Sequence, residues 1–189
     1  MRSGIIIILL SIINFTVAAQ KYSAGKAQPT AVIVTSIEGH HTVKSGMDTA
    51  WVNMKTRTLY CRVALKDLNF GLLPMYASKR TVVDRFLTSY MEMEKYPFII
   101  YEASFSGVQK KGLNSGDTIM TKGILTAHGV SKEVQIPVVL TMKDKQLILH
   151  GQFKVKPVDD YKVRATSGIR YRFLNNVMVQ INAVLEEDK

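Results

Sequence analysis

The chain has 189 residues, 47% of them hydrophobic, and carries 25 Lys and Arg against 15 Asp and Glu for a formal net charge of +10. That length suits one domain with an apolar core and is too short for two comfortable ones. The single cysteine, Cys61, excludes an intrachain disulfide, so the fold must stand on its core alone.

The first element in chain order is a leader. Arg2 supplies a positive start, Ile5 to Phe15 an apolar run, and Val17-Ala18-Ala19 the small residues before a cut at Gln20. A membrane-spanning helix needs ~20 apolar residues; this run is shorter, is broken by Ser11 and Asn14, and is followed by no cysteine that could take a lipid. The expectation is a signal peptide over 1–19 and a single mature domain over 20–189, periplasmic or secreted. Cleavage removes one charge, Arg2, so the mature chain stays strongly basic. In an exported protein that excess points to anionic lipid head groups, a membrane surface or water, and no nucleic-acid partner is expected. Most cations are scattered; Lys162 and Arg164 with Arg170 and Arg172 form the one cluster.

Strand-like runs follow at Ala31–Ile37, Ala50–Lys55 and Arg57–Leu65. In the last, Leu59, Cys61, Val63 and Leu65 share a face, so Cys61 reads as a small buried hydrophobe. Thr81 to Glu94 changes period. Val83, Phe86, Leu87, Tyr90 and Met91 fall at helical spacing, with Thr81 as a cap and Tyr96-Pro97 as a stop, which predicts one amphipathic helix. The run Phe98–Phe105 then puts Ile99, Tyr101, Ala103 and Phe105 on one face and Glu102 and Ser104 on the other.

Thr118–Thr126 and Val134–Met142 form a hairpin. Leu125 and Ala127 share a face with Gly123; Val134, Ile136, Val138, Leu140 and Met142 share the corresponding face of the second strand. His128-Gly129-Val130-Ser131-Lys132 is expected to be the loop, with a glycine at positive φ. Gln146–Val155 and Val177–Leu185 complete the strands, the last with Val177, Val179, Ile181, Ala183 and Leu185 facing inward. Many short alternating strands joined tightly indicate an all-β antiparallel barrel or sandwich.

Three of these elements carry a resemblance. Tyr96-Pro97-Phe98-Ile99-Ile100-Tyr101 is similar to a "YPxIxF" strand, and Gly123 to Val138 reads "GxLTxHGVSKxVxxPV". Phe153-Lys154-Val155 with Asp160-Tyr161-Lys162-Val163 is similar to an "F-x-V…DY-x-I" element. Together they resemble the YceI-like family of exported lipid-binding proteins over roughly residues 94 to 185. Tyr101 stands where that family has Phe, Ala127 where it has Ile, and Ser131 where it has Thr; its N-terminal "F-x-V-x-H" element is not matched. The resemblance implies a lipocalin-like antiparallel barrel of about eight strands that binds a polyisoprenoid, fatty acid or similar amphiphile.

The chemistry of the residues agrees with binding rather than catalysis. The sequence has no Gly-x-Ser-x-Gly elbow, no phosphate-cradling glycine loop and no Cys-x-x-Cys pair. Asp159 and Asp160 would point apart on an extended segment. The histidines, His40, His41, His128 and His150, read as turn or surface groups, and no metal or other cofactor is expected. The candidate ligand-binding set is therefore Ile99, Tyr101, Ala103, Phe105, Leu125 and Ala127 inside the barrel, with Lys162 and Arg164 for a polar head. An eight-stranded barrel can equally be packed solid. The small inward residues Ala103, Gly123, Ala127 and Ala183 favour open volume. The alternative is a filled barrel that contacts an envelope partner through its basic surface.

Overall fold

Alternating side chains leave the strands one way to fold, with their apolar faces turned toward a common interior. The computed structural model describes residues 21–24, 31–36, 42–46, 49–67, 86–107, 116, 118–164 and 175–188. Residues 1–19, His40-His41, Thr81 to Arg85, Ser167-Gly168, Arg170 and Arg172 lie outside the described residues. The strands are β1 (Lys21–Ala24), β2 (Ala31–Ser36), β3 (Thr42–Gly46), β4 (Thr49–Asn53), β5 (Thr58–Ala64), β6 (Phe98–Phe105), β7 (Thr118–Ala127), β8 (Val130–Lys143), β9 (Gln146–Val155) and β10 (Val177–Glu187). A one-turn helix, α1, spans Pro157–Tyr161.

Antiparallel pairing runs β1-β4-β5-β6-β7-β8-β9-β10, and β10 pairs back onto β1, which closes a ring of eight strands. The barrel expected from the sequence is thus present. The hairpin β2–β3 extends it. Along one edge of β10, Leu185 pairs with Ala24 of β1 and Asn182 with Ala31 of β2, so β2 continues the line of β1 beyond an interruption.

The inward faces are those read from the alternation. Leu59, Cys61 and Val63, then Tyr101, Ala103 and Phe105, then Ile136, Val138 and Leu140 are all buried. Burial lifts the Cys61 thiol to about 12, as expected for a core position. The interior is not uniform along its axis. On β9, Leu147 and Leu149 are 0% and 1% exposed, whereas Phe153 and Val155 are only partly buried. On β10, Leu185 and Ala183 are 0% and 1% exposed, whereas Val177 and Val179 are partly buried. The barrel is packed solid at the end holding Val52, Leu147 and Leu185, and its apolar lining opens toward the other end.

Two local expectations are corrected. The hairpin loop is two residues, His128-Gly129, with φ of 49° and 71°; Val130 to Lys132 already belong to β8. Positive φ at both positions is what the tight turn between right-twisted strands needs. Of the helix expected over Thr81 to Glu94, the described part is Phe86–Tyr90, which ends four residues short of Glu94. Glu92 takes a left-handed φ of 45°, and its carbonyl accepts the amides of Lys95 and Tyr96 in a tight turn.

Candidate ligand-binding site

The opening in the lining has a structural cause. β8 pairs with β7 from Val130 to Val139, but with β9 only from Val138↔Gly151 to Lys143↔Gln146. From Val130 to Pro137, β8 therefore has a single neighbour. Proline, which lacks the amide a two-sided strand needs, is tolerated on such an edge, and Pro137 stands immediately before the first shared pair. One residue earlier, the Thr121 hydroxyl donates to the Ile136 carbonyl (2.8 Å) and so ties the edge half of β8 to β7. Because that hydroxyl has one proton, the Tyr101 hydroxyl must donate to Thr121 Oγ1 (2.7 Å).

Helix α1 stands in the gap between β8 and β9. The cleft that remains has a volume of about 250 Å³ and is walled by Leu125, Val134, Ile136, Phe153, Val155 and Tyr161, with Gln135, Lys154 and Asp160 at its rim. Six of these nine groups are apolar, and they come from four different elements. The rim is closed on one side by the Lys132–Asp160 ion pair (2.7 Å), a half-exposed bridge that water screens. Lys154 makes no ion pair among the described residues, and Lys162 and Arg164 are exposed just after α1.

A larger depression, about 380 Å³, lies on the outside of the barrel over Trp51, Tyr60, Glu102, Ser104 and Lys122. Trp51 and Tyr60 stack on each other across β4 and β5 (5.7 Å between centroids, 10° between planes), and Lys21 covers the Trp51 ring at 5.8 Å. Trp51 and Tyr60 thus form a cross-strand aromatic pair that stiffens the wall. Buried Leu59 and Ala103 also line this depression, whereas the cleft beside α1 is lined by buried Leu125, Ile136 and Tyr161.

The residues singled out from the sequence fall into three groups. Leu125 lines the cleft. Tyr101, Ala103, Phe105 and Ala127 are buried but do not line it, and Ile99 is half-buried toward the open end. Lys162 and Arg164 are exposed after α1 and are not among the cleft's lining residues. The expected open volume at Ala103 and Gly123 is absent: a methyl placed on Gly123 would lie 2.1 Å from the Glu102 carbonyl and 2.5 Å from Ala103 Cα and Cβ. The small residues there let β6 and β7 approach closely. Sequence reading missed the rest of the cleft wall. Its signals were Pro137 within an otherwise central strand, and Phe153, Val155 and Tyr161 in the third motif.

His128 is also corrected. It occupies the turn but not the surface, being 7% exposed. Its Nδ1 lies 3.0 Å from the Tyr161 carbonyl and its Nε2 2.8 Å from Glu92 Oε2, while the Tyr96 ring packs against it at 4.7 Å. Asp159 and Asp160 lie on α1 rather than on an extended segment. The Asp159 amide donates to Asn175, and Asp160 pairs with Lys132.

Comparison with known proteins places this architecture. The family profile described as YceI-like domain matches residues 15–185. Among solved structures, the chain is similar to a polyisoprenoid binding domain from Saccharophagus degradans, described as implicated in plant cell wall breakdown. The two share 12% identity and a TM-score of 0.63, with 90% of this chain and 99% of that one covered. It is also similar to BcnA of Burkholderia cenocepacia, at 10% identity and a TM-score of 0.59 over 82% of this chain and 94% of that one. A Campylobacter jejuni YCEI protein matches at 15% identity and a TM-score of 0.55, over 78% and 81%. At such identities the likeness is one of fold. No curated protein matches the chain in sequence.

Proposed function

We propose a function on the premise that the chain belongs to the YceI-like family: it binds the apolar chain of a polyisoprenoid or fatty-acid-like amphiphile, without catalysis, in the cleft between β8, β9 and α1. The observation that carries this reading is the gradient of packing. Identical strands supply fully buried leucines at one end and partly exposed Phe153, Val155, Val177 and Val179 at the other. Apolar side chains left in contact with water around a cleft gain ~25 cal/mol per Å² when another apolar surface covers them. The name of the Saccharophagus degradans neighbour, a polyisoprenoid binding domain, supports the same ligand class.

Leu125, Val134, Ile136, Phe153, Val155 and Tyr161 would contact the chain, while Ile99, Tyr101, Ala103, Phe105 and Ala127 do not line the cleft. Lys154, Lys162 and Arg164 would face an anionic head group. Residues 20–189 act as one domain on this reading, released to the periplasm or exterior after loss of 1–19. Intact mass of the exported protein tests the last point, since retention of Met1 to Phe15 would contradict it.

The binding reading is tested by extracting the purified protein with organic solvent and analysing the extract by mass spectrometry. An amphiphile present near one per protein is expected. Protein free of lipid that also fails to bind a fluorescent prenyl or acyl probe would return the molecule to the filled-barrel alternative.

A further inference from the structure

The cleft is smaller than most ligand sites. Its 250 Å³ falls below the ~300–1,000 Å³ usual for small-molecule pockets, so a long chain needs the wall to yield. The wall that is not part of the barrel ladder is α1, which carries Tyr161 and Asp160. What holds α1 is therefore what controls the site.

One of its ties has an unusual proton requirement. The Tyr161 carbonyl can only accept, so Nδ1 of His128 must carry a proton to bond it at 3.0 Å. A neutral ring protonated on Nδ1 presents a bare lone pair at Nε2. Yet Nε2 sits 2.8 Å from Glu92 Oε2, and an ionised carboxylate is also only an acceptor. Two acceptors do not approach so closely without a proton between them. The pair therefore holds one proton beyond neutral histidine and ionised glutamate, whichever of the two atoms it sits on. Remove it, and the ring can bond either Tyr161 or Glu92, never both.

We propose that His128 and Glu92 form a proton-dependent latch that holds α1 over the cleft and opens as pH rises. The inference rests on the reading of the cleft as the ligand site. Charged and titratable groups face the ring from three elements. From the turn before β6 come Glu92, Tyr96 and Lys95, whose ammonium lies over the Tyr96 ring at 4.9 Å. From α1 come Tyr161 and Asp160, and from β8 comes Lys132, which neutralises Asp160. Arg164 follows α1. The Tyr161 phenol, pushed up to about 12 by burial and by Asp160, stays protonated throughout. The sign follows from the proton count: the latched form binds one more proton than the open form, so the latch is intact at low pH and is lost as pH rises. Histidine is the side chain that ordinarily makes such a change near neutrality. Ligand would be held at lower pH and exchanged faster at higher pH.

Two substitutions separate the latch from mere packing. In Glu92→Gln the amide N–H can donate to a bare Nε2 while Nδ1–H keeps Tyr161, so both bonds survive with no extra proton. His128→Asn keeps a residue that tolerates the left-handed turn but removes the ring. The experiment measures release of a bound fluorescent prenyl probe between pH ~5 and ~8, alongside hydrogen–deuterium exchange of residues 157–163 in ligand-free protein. With the intrinsic, base-catalysed rise in amide exchange divided out, wild type should release the probe about tenfold faster and protect these amides about tenfold less at the higher pH, the loss expected for one charge-assisted hydrogen bond. Glu92→Gln should be slow at both values and His128→Asn fast at both. A flat wild-type profile in exchange, or a Glu92→Gln variant that keeps the wild-type pH dependence, overturns the latch. A protein that shows the exchange pattern but binds no probe at any pH keeps the latch and overturns the ligand reading.

Discussion

Gly123 is where the barrel wall has least tolerance, and replacing it with alanine measures how tightly β6 and β7 are joined. The added carbon would sit 2.5 Å from Ala103 Cα and Cβ and 2.1 Å from the Glu102 carbonyl oxygen, where ordinary carbon contacts lie at 3.5–4.0 Å. Most of what it meets is backbone, which cannot rotate aside. The strands must part by about 1 Å at a spacing normally near 4.8 Å, which spoils two or three ladder hydrogen bonds at ~1 kcal/mol each. The expected cost is about 3 kcal/mol. With a urea slope of ~2 kcal/mol/M, the unfolding midpoint should fall by roughly 1.5 M. Gly151→Ala is the control. Its new carbon would meet Val138 Cγ1 at 3.1 Å and the Pro137 carbonyl at 3.5 Å, a contact the valine can relieve by a small shift. Restriction of the unfolded chain would offset that by ~0.4–1 kcal/mol, for a net change close to zero. A Gly123→Ala midpoint indistinguishable from that of Gly151→Ala would refute the close-packed wall.

Ala103→Trp tests the same region from the other strand: the indole has no room beside Gly123, so urea unfolding should show a loss of at least ~1–3 kcal/mol, and unchanged stability would mean an interior more open than described. Replacing Lys162 and Arg164 together with Gln should weaken binding of a phosphorylated lipid and hardly affect a neutral lipid with the same tail. That difference should shrink with added salt, and equal losses for both lipids would remove these residues from the head-group site. The Cys61 thiol, lifted from 9.0 to about 12 by burial, should resist thiol reagents until the protein unfolds. Since the unfolded chain loses this proton first, the thiol's contribution to stability should decline as pH climbs from about 9 toward 12. Rapid labelling of folded protein at pH ~8 would show an accessible cysteine instead.

Much of the barrel was legible because period-2 alternation is a local property. The inward faces of β5 to β10 could be read residue by residue, and the glycine turn between β7 and β8 announced itself. Lys21–Ala24 and Thr42–Gly46 escaped notice because KYSA and TVKSG show no apolar alternation; their strand state comes from the partners they pair with. The loop at His128 was drawn too long because Val130 to Lys132 carry only one apolar residue, although β7 pairs with all three. The cleft was hidden for a different reason. Alternation tells which way Val134 or Phe153 points, but not that β8 and β9 separate beyond Pro137 and admit α1. Nor could it show that His128 is buried, since its partners lie 33 and 36 residues away in the chain.

The central claim, an apolar chain held between β8, β9 and α1, is tested most directly by photo-crosslinking. A prenyl or acyl probe bearing a diazirine on its tail would be bound to the protein, irradiated, and the modified peptides mapped by mass spectrometry. Labels should fall on Leu125, Val134, Ile136, Phe153, Val155 and Tyr161, and unlabelled lipid should compete them away. Labels confined to the exposed apolar residues Met120 and Ile124 on the outer face of β7, or labels that unlabelled lipid does not displace, would contradict the account.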